Sequence, residues 1–424
     1  MTEMSTARDN PDSLRISAAI DWLVAGARSA AKSEDVLAEL CKQLLVAGLP
    51  LWRVAVFVRT LHPLVMGRSF VWRPSTAVVV SQAPHAMLDG DEFLTSPVAR
   101  LYATGEKIRR RLADPECPDD FPLLASLRAE GVTDYLALPL LFTNAEIHAA
   151  TFTTRQACGF SDQQAMALES LARPLARVAE VRALRASAVS LLNAYVGRDA
   201  GERILSGQIR RGEVEKIRAA IWLSDMRGFT RRADSAPAEA LLDLLNRFFD
   251  RLVPAIEAEG GEVLKFMGDG LLAIFRFADP SASAEICRRA LRAALAAEAE
   301  VKGLSDDIVA SGGEPLRFGV ALHLGEALYG NIGAGARLDF TCIGPAINLA
   351  ARLEKIAAQQ GRVVVASAAF AAEAPEQFEE IGEYELAGFR ERQTVFIPRV
   401  PPADASPTSH ANPAGRDVSK DRIV

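Results

Sequence analysis

The stretch that decides the fold of the C-terminal half is Gly260–Phe275, GGEVLKFMGDGLLAIF. Two short apolar runs, Glu262 to Phe266 and Leu271 to Phe275, flank Met267-Gly268-Asp269-Gly270, which reads as a β-hairpin with a glycine-permitted turn. Working outward on the N-terminal side, the spacing predicts a helix from about Ser235, with Ser235 as its cap. Leu241, Leu245, Phe248, Leu252 and Ile256 lie on one stripe, and Gly260-Gly261 stops it. Before that helix, Ala219 to Leu223 is an apolar strand running to Asp225.

A strand, a helix and a hairpin in this order, with the two carboxylate-bearing strands adjacent, would place Asp225 beside Asp269. Two carboxylates in one site repel unless a cation lies between them, and Mg²⁺ held by carboxylates plus substrate phosphates is the usual solution. The run Met226-Arg227-Gly228-Phe229-Thr230 leads toward the helix, where backbone N–H groups of Gly228, Phe229 and Thr230 could meet a phosphate. Singly, an Asp after a strand is a turn residue and a Gly-Asp-Gly tip is only a hairpin; their conjunction carries the reading.

The wider chain sets bounds. At 424 residues it exceeds one hydrophobic core, so two domains with connecting helix are expected. A net charge of -6 with interspersed signs gives no basic footprint for nucleic acid or an anionic membrane. Cys41, Cys117, Cys158, Cys287 and Cys342 are scattered without CxxC or metal-ligand spacing and read as reduced, mostly buried thiols. Met1 to Pro11 is polar, unlike a signal peptide, and no apolar run reaches the roughly 20 residues of a membrane helix. A cytoplasmic protein is expected.

Residues 16–48 carry helical spacing, with strands expected at Trp52 to Arg59 and Val71 to Val80. Asp134 to Phe142 and Glu146 to Thr154 should pair around Thr143-Asn144-Ala145. From Asp162 to about Ser190, Leu168, Leu171, Leu175, Val178 and Leu184 fall at three- and four-residue steps on a long helix interrupted only by Pro174. This helix either closes the first domain or forms a dimer seam that passes a signal. After Pro398 the chain is rich in Pro, Ser and Ala without periodicity, as in a disordered tail.

Two resemblances follow. GVTDYLALPLLF (131–142) and HAATFTTRQACGFSDQQAMALESLARPLA (148–176) are similar to the last strands and closing helix of a GAF-type domain. That implies a sensor fold open to a small-molecule ligand, although no residue before 180 identifies one, and a dimerising module with an empty pocket is the alternative. The resemblance to class III adenylyl and guanylyl cyclases is closer. It rests on AAIWLSDMRGFT (219–230), GGEVLKFMGDGLLAIF (260–275), ALHLGEALYGNIG (321–333) and DFTCIGPAINLAARLE (339–354), in order and approximate spacing, with a similar lead-in at 201–221.

The expected fold is therefore α/β (α+β): a ferredoxin-like βαββαβ cyclase catalytic domain preceded by a GAF-like α/β sensor domain and a connecting helix. The divisions are 1–15 disordered, 16–180 sensor or dimerisation domain, 181–215 connecting helix and lead-in, 216–398 catalytic domain, and 399–424 disordered tail.

The cyclase resemblance implies that Asp225 and Asp269, helped by the Met226 carbonyl, bind two Mg²⁺ or Mn²⁺ ions. It also implies that Lys265 and Thr341 read the purine, that Asn348 orients the ribose, and that Arg352 meets charge on the α-phosphate. Asn348 and Arg352 are four apart on a helix, about 40° apart in projection, which suits one shared target; Leu349, Leu353 and Ile356 should be core. Lysine has only donors, which suits the adenine N1 acceptor and ATP as substrate. Thr341 stands where many adenylyl cyclases have Asp and is similar to subclass IIIb, some of whose members respond to bicarbonate.

Arg390, in LAGFRERQTVF, lies near a basic triphosphate-binding position. Pro345, where relatives often have Asp, is suited to the first helical turn. His323 reads as structural. In the family the aspartates come from one subunit and the other groups from its partner, which implies a homodimer. A guanylate cyclase and a catalytically silent cyclase-like module are the alternatives; the GG[DE]EF signature of diguanylate cyclases is absent.

Overall fold

A computed structural model describes residues 10–335 and 337–399. The chain forms two compact units that divide after Leu191, inside the last turns of the long helix that closes the first. The expected terminal tails, most of 1–15 and nearly all of 399–424, lie outside the described residues.

The first unit contains α1 (Ser13–Val24), α2 (Ser33–Val46), β1 (Arg53–Arg59), β2 (Val65–Trp72), β3 (Val79–Pro84), α3 (Asp91–Leu94), α4 (Pro97–Thr104), β4 (Ile108–Arg110), α5 (Leu123–Ala129), β5 (Asp134–Leu141), β6 (Ile147–Thr154) and α6 (Asp162–Val196). Its strands form one antiparallel sheet in the order β3-β2-β1-β6-β5-β4. Residues of α1, α2 and α6 cover one face and those of α4 and α5 the other.

The hairpin β5–β6 is where the sequence puts it, with Ala145 at φ 67 in its turn. Pro139 is tolerated in β5 because β4 pairs only with Tyr135–Ala137, so the missing N–H deprives no partner. The expected strand Val71 to Val80 is instead the bend of a hairpin. Val71 pairs with Val79 across a turn containing Pro74 and Ser75, the latter at φ 62. Proline's fixed φ starts that turn, which an apolar count cannot detect. On α6, Leu168, Leu171, Leu175 and Val178 are buried as expected, but Leu184 is 62% exposed.

The second unit contains α7 (Arg198–Leu205), β7 (Val214–Met226), α8 (Phe229–Ala233), α9 (Ala238–Ala258), β8 (Glu262–Met267), β9 (Gly270–Phe277), α10 (Ser283–Ala310), β10 (Phe318–Ala334), β11 (Arg337–Ile343), α11 (Pro345–Gln359), β12 (Val364–Ser367), α12 (Ala368–Ala371), β13 (Phe378–Tyr384) and β14 (Gln393–Pro398). The sheet order is β13-β14-β12-β10-β7-β9-β8, with β11 on β10. Its core β10-β7-β9-β8 is the ferredoxin-like order that a βαββαβ chain gives, so the α+β expectation holds.

Alternation along β7 shows why the sheet is covered on both sides. Ala220 and Trp222 face the core with Phe248, Leu252 and Ile256 of α9 and the alanine-rich flank of α10. Ala219, Ile221 and Leu223 face the opposite core with Ala346 and Ala350 of α11. Two further boundaries differ from expectation. β7 begins at Val214, well before Ala219, and Ser235 caps nothing: its hydroxyl bonds the Arg231 and Arg232 carbonyls, while α9 starts at Ala238 after Pro237. Proline at 237 biases residue 236 away from helical backbone, which moves the start downstream.

None of the five cysteines is paired; Cys41, Cys287 and Cys342 are buried, Cys117 is half-buried and Cys158 exposed. No helix among the described residues is long and apolar enough to cross a membrane.

Candidate active site

The register of β7 on β9 pairs Asp225 with Gly270, so the carboxylate at the end of β7 meets the start of the strand that follows Asp269. The contact requires glycine: a Cβ at Gly270 would stand 2.5 Å from the Ser224 carbonyl oxygen and 2.8 Å from Asp225 Oδ1. The Met226 N–H donates to the Asp269 carbonyl at 3.2 Å. Gly268, at φ 66, makes the tight turn that presents Asp269. The chain thus brings Asp225 and Asp269 together through backbone contacts.

Electrostatics report the same crowding. Partial burial, then the charges of Asp269 and Glu354, push the Asp225 carboxyl up to about 7, and burial also raises Asp269. Among the described residues no group of three or more His, Cys, Asp or Glu side chains is placed to hold a metal. The donor set is two carboxylates, which fits an ion that takes its remaining oxygens from phosphates and water.

The sign of the Asp225 shift gives a prediction. A carboxyl whose folded pKa is raised stabilises the domain fully below about pH 4 and loses that contribution as pH rises through about 7. In EDTA, Asp225→Asn should raise the melting temperature at about pH 8 by roughly 2–4 °C, near 1 kcal/mol once solvent screening of a half-exposed group is allowed for. At about pH 4 the variant and the parent should melt together. Calorimetry at both pH values checks this, and equal melting temperatures at the higher pH would contradict the crowding.

A second cluster starts from β8, near the same tip of the hairpin. Lys265 of β8 reaches across to β11 and ion-pairs with Asp339. Asp339 and Thr341 are two apart on that strand and so share a face. On α11, Asn348 and Arg352 lie one turn apart with no protein partner among the described residues, while Leu349, Leu353 and Ile356 are buried. Pro345 occupies the first turn of α11, as expected. Arg390 is exposed in the turn between β13 and β14, with no side-chain partner among the described residues.

The residues around this constellation, 213–399, match the family model of the adenylate and guanylate cyclase catalytic domain. Residues 213–399 are a cyclase catalytic domain. Among curated relatives, adenylate cyclase 1 of Rhizobium meliloti is 31% identical over 150 residues, covering 35% of this chain and 22% of that protein. The terminal-differentiation specific adenylate cyclase of Dictyostelium discoideum is 30% identical over 149 residues, covering 34% of this chain and 7% of that protein. This chain therefore spans less than a quarter of either relative. Among solved structures, the adenylyl cyclase CyaB from P. aeruginosa is 25% identical with a TM-score of 0.41, over 46% of this chain and all of that one. The guanylyl cyclase Cya2 is 23% identical with a TM-score of 0.38, over 43% of this chain and 92% of that one.

Within the cyclase domain the expected site residues fall into three groups. Asp225, Met226 and Asp269 are together at the β7–hairpin contact, Lys265 is near Thr341 through Asp339, and Asn348 with Arg352 projects from α11. The segment Gly228-Phe229-Thr230 opens α8, a helix of only five residues, so its macrodipole is slight. Two neighbours of these residues were not expected from the sequence. Asp339 lies two residues before Thr341, and same-face spacing on a strand could have found it. Glu354, buried and facing the Asp225 and Asp269 charges, follows Arg352 by two, where helical geometry gave no such signal.

Proposed function

We propose that the chain is an adenylate cyclase that converts ATP to 3′,5′-cyclic AMP and pyrophosphate at sites shared between two copies. The observation that carries the choice of base is Lys265, fixed by Asp339 beside Thr341. A lysine offers only donors, which match the N1 acceptor of adenine, while the Thr341 hydroxyl can accept from N6.

Asp225 and Asp269, with the Met226 carbonyl, would hold Mg²⁺ or Mn²⁺. Such ions, when bound, lower the pKa of the ribose 3′-hydroxyl and neutralise the triphosphate. The chain's own groups do the rest. Asn348 orients the ribose so that its 3′-oxygen lies in line with the α-phosphate, and Arg352 meets the charge that develops there as pyrophosphate leaves. Backbone N–H groups at Gly228, Phe229 and Thr230, and the Arg390 guanidinium, would steady the remaining phosphates.

A homodimer is supported by the apolar side chains left open beside these groups. Phe266 and Met267 follow Lys265 directly and are both exposed. The first unit, at about 16–180, would act as a GAF-like regulatory module with a small-molecule ligand, joined by 181–215 to the catalytic residues 216–398.

Asp339 also supports a second reading, since its carboxylate could accept from guanine N1–H if it released Lys265. Assay of the purified chain with ATP and GTP, in Mg²⁺ and in Mn²⁺, decides between them. ATP should be preferred at least about tenfold, and Lys265→Glu should lower kcat/KM for ATP roughly 100-fold by replacing a donor with an acceptor. Equal use of GTP by the parent chain would overturn the adenine assignment.

A further inference from the structure

The central sheet of the cyclase domain has a gap in one edge. β7 runs along one side of β10 from Phe318 to Gly330, but on the other side β12 pairs only as far as Leu322 and the pairing with β11 starts at Leu328. Residues 323–327 of β10 therefore have no strand partner there, and a cleft of about 460 Å³ opens at this place. The chain leaving β11 crosses the gap at Gly344 and starts α11 at Pro345.

Hydrogen-bond donors converge at the floor of the cleft. His323 is only 8% exposed. Ser367 Oγ accepts the Phe370 N–H at 3.2 Å and stands 2.7 Å from His323 Nδ1, and we take the tautomer in which the hydroxyl donates to Nδ1. With Nδ1 accepting, the neutral ring carries its proton on Nε2. Burial lowers the pKa of this ring to about 4, consistent with a neutral imidazole.

Nε2 has no partner among the described residues, and it lies over Gly325. A Cβ built on that glycine would be 2.8 Å from Nε2 and 2.7 Å from Ala346 Cβ. The Nε2–H thus opens into the cleft beside the first turn of α11. There the Ala346 and Ile347 N–H groups precede the intrahelical ladder, and Gly344 provides no side-chain cap.

The walls are apolar, formed by Ala327, Leu328, Ile343, Leu349 and Phe389, and at the mouth Lys216 is ion-paired with Glu326 at 2.6 Å. We propose that this cleft binds a small organic monocarboxylate. Its carboxylate is received by His323 Nε2–H and the first turn of α11, and its hydrocarbon body lies against Ile343, Leu349 and Phe389. A neutral imidazole and two backbone donors suit one negative charge. A phosphate dianion would meet the Glu326 carboxylate without a free cation to offset it. This site is separate from the nucleotide reading above and does not depend on it.

The test is isothermal titration calorimetry on the full chain without nucleotide, using acetate, hexanoate, benzoate and the neutral analogue benzamide. Hexanoate and benzoate should bind, acetate more weakly, and benzamide about tenfold more weakly than benzoate. His323→Asn keeps an acceptor for Ser367 but removes the Nε2–H, and should weaken benzoate about tenfold. Phe389→Ala alters only a half-buried turn residue and should weaken hexanoate and benzoate severalfold while leaving acetate unchanged, so it serves even if the histidine variant fails to fold. Lys265→Ala should leave benzoate binding intact, which separates this cleft from the nucleotide site. The proposal is overturned if none of the acids binds at about 10 mM. It is equally overturned if benzamide matches benzoate, if Phe389→Ala changes nothing, or if binding is lost with Lys265 rather than with His323.

Discussion

Asp225→Ala and Asp269→Ala should each lower cyclic AMP formation by on the order of 10³-fold or more while the chain stays folded. The reason is the shape of the donor set: Asp225 at the end of β7 meets Asp269 just before β9, and removal of either leaves one of the two proposed carboxylate ligands for ions that must carry the triphosphate charge. Folding should survive, because the strand pairing that brings these residues together is made by backbone, and taking away one of two mutually repelling carboxylates relieves crowding. Activity is read as cyclic product in Mg²⁺ and Mn²⁺, with circular dichroism as the check on fold. If either variant kept more than a few per cent of activity, Asp225 and Asp269 could not both be metal ligands.

A larger contrast is expected from mixing two inactive chains. One carries Asp225→Ala with Asp269→Ala, the other Arg352→Ala; each homodimer has two broken sites. Random exchange at equal concentration makes about half the dimers mixed, each with one site holding every defect and one holding none, so activity should return to roughly a quarter of the parent value. That is a rise from near zero produced by combining two dead proteins, which a site contained in one chain cannot give. Differently tagged chains verify the exchange. Continued inactivity after verified exchange would place all these groups within one protomer, and the open positions of Asn348 and Arg352 would then need another explanation.

Much of the catalytic half was legible because its signals are local. The apolar alternation of β7, the glycine-flanked Asp269 and the stripe of α9 each follow from spacing within a few residues, and the positions of Asp225 and Asp269 follow once the strand order is right. What escaped depended on contacts far apart in sequence or on small backbone preferences. Asp339 finds Lys265 only because β11 folds back beside β8, a separation of 74 residues. The start of α9 shifted because a proline restrained its predecessor, and the expected strand at Val71 to Val80 dissolved into a bend for a similar reason. In the first unit the sheet and the long helix could be anticipated, whereas the outward turn of Leu184 could not, since an apolar stripe does not say where its covering surface ends.

Gly270 has a consequence for how this protein can change over time. Because β9 leans on Asp225 through a missing side chain, the spacing of the two acidic groups is ruled by strand alignment and hardly at all by side-chain choice. Insertions or deletions confined to the loops around α10 leave that alignment alone. A one-residue slip between β7 and β9 would carry Asp269 to the wrong side while many of the apolar contacts found substitutes. Lineages of this chain should therefore tolerate wide variation in length away from the hairpin and almost none within it. A descendant that loses its chemistry by such a slip could keep a folded domain, and would be recognisable by an altered count of residues between β8 and β9 rather than by an exchanged aspartate.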